Sequence, residues 1–200
     1  IALFIASAAP AEEMKSPQLS RARVDWDAAA ASLAERLPGG PAESFAKLNM
    51  AAEVGFPGIT NSSVPVLLPF DIDGFAKEIA AKPGQPPDQI AASAARYMRA
   101  DFQPTKFFLT GPAGYDAAFA LTLANVPDLS DISYSDPVYV LFSGLAMTYQ
   151  LEGPALPDGE PVKSLQDNFP GIRRYLHESY IRYSFERYGV TYVAAIYCLD

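Results

Sequence analysis

Phe169-Pro170-Gly171-Ile172-Arg173-Arg174-Tyr175-Leu176-His177-Glu178-Ser179-Tyr180-Ile181-Arg182-Tyr183-Ser184-Phe185-Glu186-Arg187-Tyr188 is the most distinctive stretch of this chain, and its reading decides the fold. Six of the eleven tyrosines fall between Tyr175 and Tyr197, so an unusual share of the aromatic surface is concentrated at this end. Arg174, Glu178, Arg182 and Glu186 step by four. On a helix, opposite charges at that spacing contribute about 0.2–0.5 kcal/mol per pair, and the stripe reads as a solvated face. A second stripe holds His177, Ile181, Ser184, Phe185 and Tyr188, and a third holds Leu176, Tyr180, Tyr183 and Arg187. The pattern predicts a long C-terminal helix, Gly171 to Tyr188, apolar over most of its girth and packed on a sheet. If the Tyr180 ring is core, its truncation would cost about 3–5 kcal/mol, and no loss would instead favour a groove.

Outward from that helix the chain turns to β. Val190 to Leu199 reads as a buried final strand. Upstream, Val138 to Gly144 and Leu145 to Leu151 are strand-like, with Gly144 a candidate bulge. Tyr115 to Val126 alternates, with Phe119, Leu121 and Leu123 on one face and Ala118, Ala120 and Thr122 on the other. Lys106 to Thr110 is a strand, and Val64 to Pro69 is a short proline-flanked edge strand. Pro154 to Pro170 reads as a long acidic loop.

The first half is helical. Asp25 caps a helix from Trp26 to Leu37, which Pro38-Gly39-Gly40 ends. Pro41 opens a second, reaching about Ala52. The two predict an N-terminal helical hairpin. Asp73 is expected to cap a short helix, Gly74 to Ala81, and Asp88 to start another, to about Ala100. Strands follow helices without a βαβ rhythm. The expected fold is therefore α+β, with a mainly antiparallel sheet of about 5–6 strands.

Composition narrows the function. Two hundred residues, half of them hydrophobic, can bury a core without disulfides or metal. A net charge of −8 lacks the basic footprint that nucleic acid or anionic lipid requires. One cysteine, Cys198, and one histidine, His177, are too few for a Cys/His-ligated metal centre, and no cofactor is expected. Ile1 to Ala9 is apolar but too short to span a bilayer. Ala6-Ser7-Ala8 and Ala9-Pro10-Ala11 fit the small-x-small rule of signal peptidase. The expectation is an exported protein, periplasmic or extracellular. Residues 1–11 would be a signal-peptide remnant, 12–24 a mature leader, and 25–200 one α+β domain that could continue past the C-terminus. In an exported protein Cys198 could pair with a cysteine beyond Asp200 or serve as a small buried residue.

Catalytic motifs fail on inspection. In Phe70-Asp71-Ile72-Asp73-Gly74 a calcium loop would put Pro69 and Ala80 where acids are needed. Thr110-Gly111-Pro112-Ala113-Gly114 feeds a strand rather than a helix, and no lysine follows, so it reads as a tight β connection. No Gly-x-Ser-x-Gly elbow is present. Ser62 and Ser63 lie far in sequence from His177, and a Cys198–His177 pair would need the fold to join them. Asp116, Asp136, Glu152, Glu178 and Glu186 could supply paired carboxylates, but spacing selects no pair.

The remaining signal is tyrosine with arginine. Between Pro104 and Pro170 only Lys106 and Lys163 are basic, against eight acids, whereas the next segment carries Arg173, Arg174, Arg182 and Arg187. Arg173, His177, Tyr180, Arg182, Tyr183 and Tyr188 form the candidate ligand site, a groove for a glycan or a carboxylated peptide. The chain is expected to be a non-catalytic binding or interaction module of the cell envelope. An envelope hydrolase acting on glycan or peptide is the alternative, and an accessory unit packed on a neighbouring domain is a third.

Overall fold

Asp25 starts the helical layer. In the computed structural model, which describes residues 18–97, 102–109, 111–121, 138–150 and 159–197, its carboxylate accepts the Ala28 N–H at 2.9 Å. That bond satisfies one orphan donor of the first turn, and α1 runs Trp26–Ala34. Leu37, Pro38, Gly39 and Gly40 turn the chain, and Pro41 opens α2, Pro41–Glu53. The Trp26 and Phe45 rings meet edge to face at 5.8 Å and tie the hairpin together.

The next helix, α3, spans Ile72–Ala81. Its cap is Asp71, which accepts the Gly74 N–H at 3.0 Å, and not the expected Asp73. Asp73 sits inside the first turn, where a carboxylate is favoured by the helix dipole. Then α4, Pro87–Ser93, tightens into a 3-10 turn over Ala94–Tyr97. Residues 98–100 of the predicted helix lie outside the described ones. Phe75, Ile79, Ile90 and Leu37 form one apolar cluster between these helices, with Phe70 and Tyr97 packed on it.

The strands are β1 (Gln18–Arg21), β2 (Phe102–Leu109), β3 (Gly114–Leu121), β4 (Val138–Leu145), β5 (Met147–Gln150), β6 (Glu160–Pro161), β7 (Arg173–Leu176), β8 (Tyr180–Arg187) and β9 (Val190–Tyr197). Two sheets result, an antiparallel pair β1-β5 and a seven-stranded sheet in the order β2-β3-β4-β9-β8-β7-β6, antiparallel at every described pairing. The α+β class and the antiparallel sheet therefore hold.

The long C-terminal helix does not. Gly171 to Tyr188 is instead β7, a two-residue turn at Glu178-Ser179, and β8. In β8, Ile181, Tyr183 and Phe185 share the face of buried Tyr192, while Tyr180, Arg182, Ser184 and Glu186 point the other way. From Ile181 to Glu186 apolar or aromatic residues thus alternate with polar ones at a period of two, which only a strand can sort. The four-step charge stripe misleads because i and i+4 share a face in a strand too. Tyr188 and Gly189, with φ of 54° and 70°, then make a two-residue turn whose positive dihedrals are those of a type I′ hairpin into β9.

Two other expectations change for reasons of packing. Gly144 is no bulge, because it pairs regularly with Tyr115 and Tyr192. A Cβ there would stand 2.3 Å from a Tyr115 ring carbon, so the glycine makes room for that ring. The break between β4 and β5 falls at Ala146. The Val64–Pro69 stretch is extended but joins no ladder. The buried Tyr115 hydroxyl accepts the Leu67 N–H at 2.9 Å and donates to the Leu67 carbonyl at 3.2 Å. The Tyr192 hydroxyl donates to the Pro65 carbonyl at 2.7 Å. Two phenols of the sheet thus do for this strap what a neighbouring strand would have done. Beneath it, Val64, Phe56, Phe119, Ala117 and Val190 complete the main core.

Burial pushes both phenols well above the ordinary tyrosine range, with a lesser contribution at Tyr192 from the Tyr115 charge. The folded state thus favours the protonated form. Stability from these groups is fully present below the ordinary value of about 10 and is lost as the pH rises beyond it. In an alkaline titration followed by phenolate absorbance, two tyrosines should ionise only in step with the loss of circular dichroism. Ionisation of every tyrosine with the dichroism intact would remove Tyr115 and Tyr192 from this role.

Candidate functional site

One face of the large sheet carries the helices and the strap. The opposite face collects the aromatic and cationic residues of the C-terminal hairpins. Tyr139 of β4 is in register with Tyr197 of β9, Tyr197 with Tyr180 of β8, and the His177 N–H donates to the Tyr180 carbonyl at 3.0 Å across the hairpin end. Three rings on adjacent strands, with His177 at the end of the β7–β8 hairpin, therefore make a row of four on this outer face. His177 stacks on Tyr180 with centroids 4.3 Å apart, and Tyr180 meets Tyr197 at 5.4 Å. Tyr139, at one end, is 43% exposed, and His177, at the other, is exposed as well. Tyr180 thus stands between the rings of His177 and Tyr197, so its two faces are taken.

The next row, two residues along, holds Leu141, Ala195, Arg182 and Tyr175. The Arg182 guanidinium carbon lies 4.7 Å from the Tyr175 ring centroid, a cation–π arrangement. The ring in turn lies so close to Gly159 that a Cβ there would stand 2.6 Å from its Cζ. Arg182 makes no ion pair among the described residues, and its Nε is buried with no hydrogen-bond partner. Arg173, one row further on, donates to the Gly159 carbonyl at 2.8 Å.

Of the six residues marked in the sequence, the structure brings Arg173, His177, Tyr180 and Arg182 to this face. Tyr183 points to the opposite one, where its hydroxyl and Glu160 engage Arg174 and Glu160 holds that guanidinium above its ordinary value. Tyr188 lies at the far end of β8, about 25 Å along the strand from His177 at ~3.3 Å per residue, so it belongs to a different place. Tyr180 is half-buried on the outer face and is not a core residue, which corrects the expectation of a severe loss on truncation. Tyr139, Tyr175 and Tyr197 were missed. Their signal was present as alternation, each holding the outer-facing position of its strand, and at Tyr175 that pattern is invisible while 171–188 is read as a helix.

The described carboxylates do not converge. Asp116 hydrogen-bonds Ser143 on the outer face of β3 and β4, Glu186 stands opposite Thr191 on an edge-ward row, and Glu178 occupies the exposed β7–β8 turn. Asp136 and Glu152 lie outside the described residues, as does Cys198. The most perturbed carboxyl, Glu78 on α3, is lowered, first by the Tyr97 hydroxyl and then by Lys82, a structural cluster and not an acid held protonated for catalysis. Ser62 donates to the Val64 carbonyl at 2.7 Å beside the strap, on the side of the sheet opposite His177. Among the described residues no helix is long and apolar enough to cross a membrane. Compared with protein families, curated proteins and solved structures, the chain matches none.

Proposed function

We propose that the chain is an exported, non-catalytic binding module of the cell envelope, and that its outer sheet face takes a carboxylate-bearing peptide. The observation that supports this reading is Arg182, laid on Tyr175 beside a row of four rings, with no anion paired to it among the described residues. A guanidinium held flat by a ring has lost much of its freedom already, so a carboxylate meets a prepared fork at a lower entropic cost. Tyrosine and arginine are also the residues that dominate binding energy at interfaces. A peptide fits better than a glycan because the inner ring faces are already occupied, whereas hydroxyl edges suit an amide backbone.

Titration with short peptides rich in aspartate and glutamate, followed by amide shifts, tests the site. Perturbations should map to β7, β8 and the end of β9. Arg182→Gln should weaken binding by about 1.5–3 kcal/mol, the range for charge-assisted hydrogen bonds. Tyr180→Ala should weaken it too while lowering stability by less than the loss expected of a core ring. No perturbation with any acidic peptide, or equal binding by Arg182→Gln, would refute this assignment. A response to neutral oligosaccharides alone would move the ligand to the glycan class.

Export is proposed from Ile1–Ala11, whose apolar run and small-x-small triplets match a processed leader. The mature N-terminus is expected at Ala9 or Glu12 when the protein is recovered from its native cell and its first residues are sequenced. An intact Ile1–Ala11 segment in that material would count against processing.

A further inference from the structure

A second recess lies on the other face of the sheet, independent of the peptide site. A cavity of about 270 Å³ opens between α1, α2 and the strap. Leu33, Leu48, Val66, Leu68 and Phe70 line it, and each is only half-buried although helices and strap surround it. Protein interiors pack to crystal density, so an apolar hollow left at an interface between layers is a place built for an occupant.

The charge around it is one-sided. Among the described residues no aspartate or glutamate lines the cavity, whereas Arg36 and Arg187 do, in a chain of net charge −8. Arg36 is exposed, with its nearest acid Asp73 at 3.8 Å. Arg187 is half-buried and makes no ion pair among the described residues. Its guanidinium carbon lies 5.0 Å from the ring centroid of Tyr188, the residue held at φ 54° in the β8–β9 turn. That dihedral belongs to the type I′ turn, beside which Arg187 and Tyr188 line the cavity wall.

We propose that this cavity binds a single-chain fatty acid, its alkyl chain between Leu33, Leu48 and the strap and its carboxylate on Arg187. An alkyl chain needs no hydrogen bonds inside. A peptide would, and on the strap the Leu67 N–H and carbonyl are already taken by Tyr115 and the Pro65 carbonyl by Tyr192. A neutral hydrocarbon would leave the guanidinium without an anion.

The chain carries its own reporter. Its single tryptophan, Trp26, packs on Phe45, and Phe45 lines the cavity. Decanoate and 1-decanol, titrated below the concentration at which either aggregates, should each change Trp26 fluorescence saturably, with decanoate about tenfold tighter. Arg187→Gln should abolish that preference, and Arg187→Lys should keep part of it. Val66→Phe, which fills the hollow, should weaken both ligands at least tenfold with the dichroism unchanged. Absence of saturable binding overturns the proposal, and so does equal affinity for the acid and the alcohol in the native chain, a comparison that depends on no variant folding. Retained binding in a folded Val66→Phe chain overturns the cavity as the place.

Discussion

Phe119→Ala is expected to lower stability by about 3–5 kcal/mol, as large aromatic truncations in closed cores do. Phe119 is fully buried on β3, and its ring meets Phe56 at 5.7 Å and Phe142 at 5.8 Å, both edge to face. Its neighbours come from the α2 end, from β4 and from the strap, so no single element can move in to fill the void. The lost apolar burial and the residual cavity therefore add. Urea unfolding checks this: the midpoint should fall with little change in the slope. A midpoint within 1 kcal/mol of the native chain, at ordinary slopes of about 1–3 kcal/mol per molar, would mean that the layer between sheet and helices is not the core described.

Gly189→Ala is expected to cost about 2–5 kcal/mol, combining a left-handed dihedral at an alanine with forced overpacking. Gly189 has φ 70°, and a Cβ on it would stand 2.1 Å from the Arg23 carbonyl oxygen, which is backbone and cannot swing aside. The same turn holds the chain entering α1, because the Asp25 N–H donates to the Tyr188 carbonyl at 2.9 Å. The substitution should thus loosen both the β8–β9 hairpin and the start of α1. Hydrogen exchange would read this as faster exchange at Asp25 and in β9 together. Exchange altered in neither place would show that this turn does not clamp the two layers.

The helical hairpin was legible because its signals are local. Asp25, Pro38-Gly39-Gly40 and Pro41 each act within a few residues, through a cap, a break and a pre-set φ, whatever the rest of the chain does. The β3 alternation was legible for a similar reason, since Phe119 and Leu121 on one face and Ala118 and Ala120 on the other follow a period of two on their own, and residues 122–126 of that reading lie outside the described ones. The Gly171–Tyr188 segment was misread because its charges at spacings of four satisfy a helix and a strand alike. The decisive cues were Glu178-Ser179 and Tyr188-Gly189, two turns that cut it into strands of ordinary length. Four of the six marked residues still share one face despite that error. Arg173, His177, Tyr180 and Arg182 were marked for their chemistry, and residue chemistry does not depend on the element that carries it.

By itself the sequence determined the class of fold, the helical hairpin with its caps, and the residue types available for binding, because these rest on short-range backbone preferences and on composition. Tertiary structure decided the strand order, and with it which rings share a row. It decided that Val64–Pro69 is a strap bonded to two tyrosine hydroxyls, and that Arg182 and Arg187 serve opposite faces. All of these depend on contacts between residues tens of positions apart, as Leu67 and Tyr115 are. Such contacts form only when a sheet of seven strands closes against a helical layer, and no local pattern encodes which partners then meet.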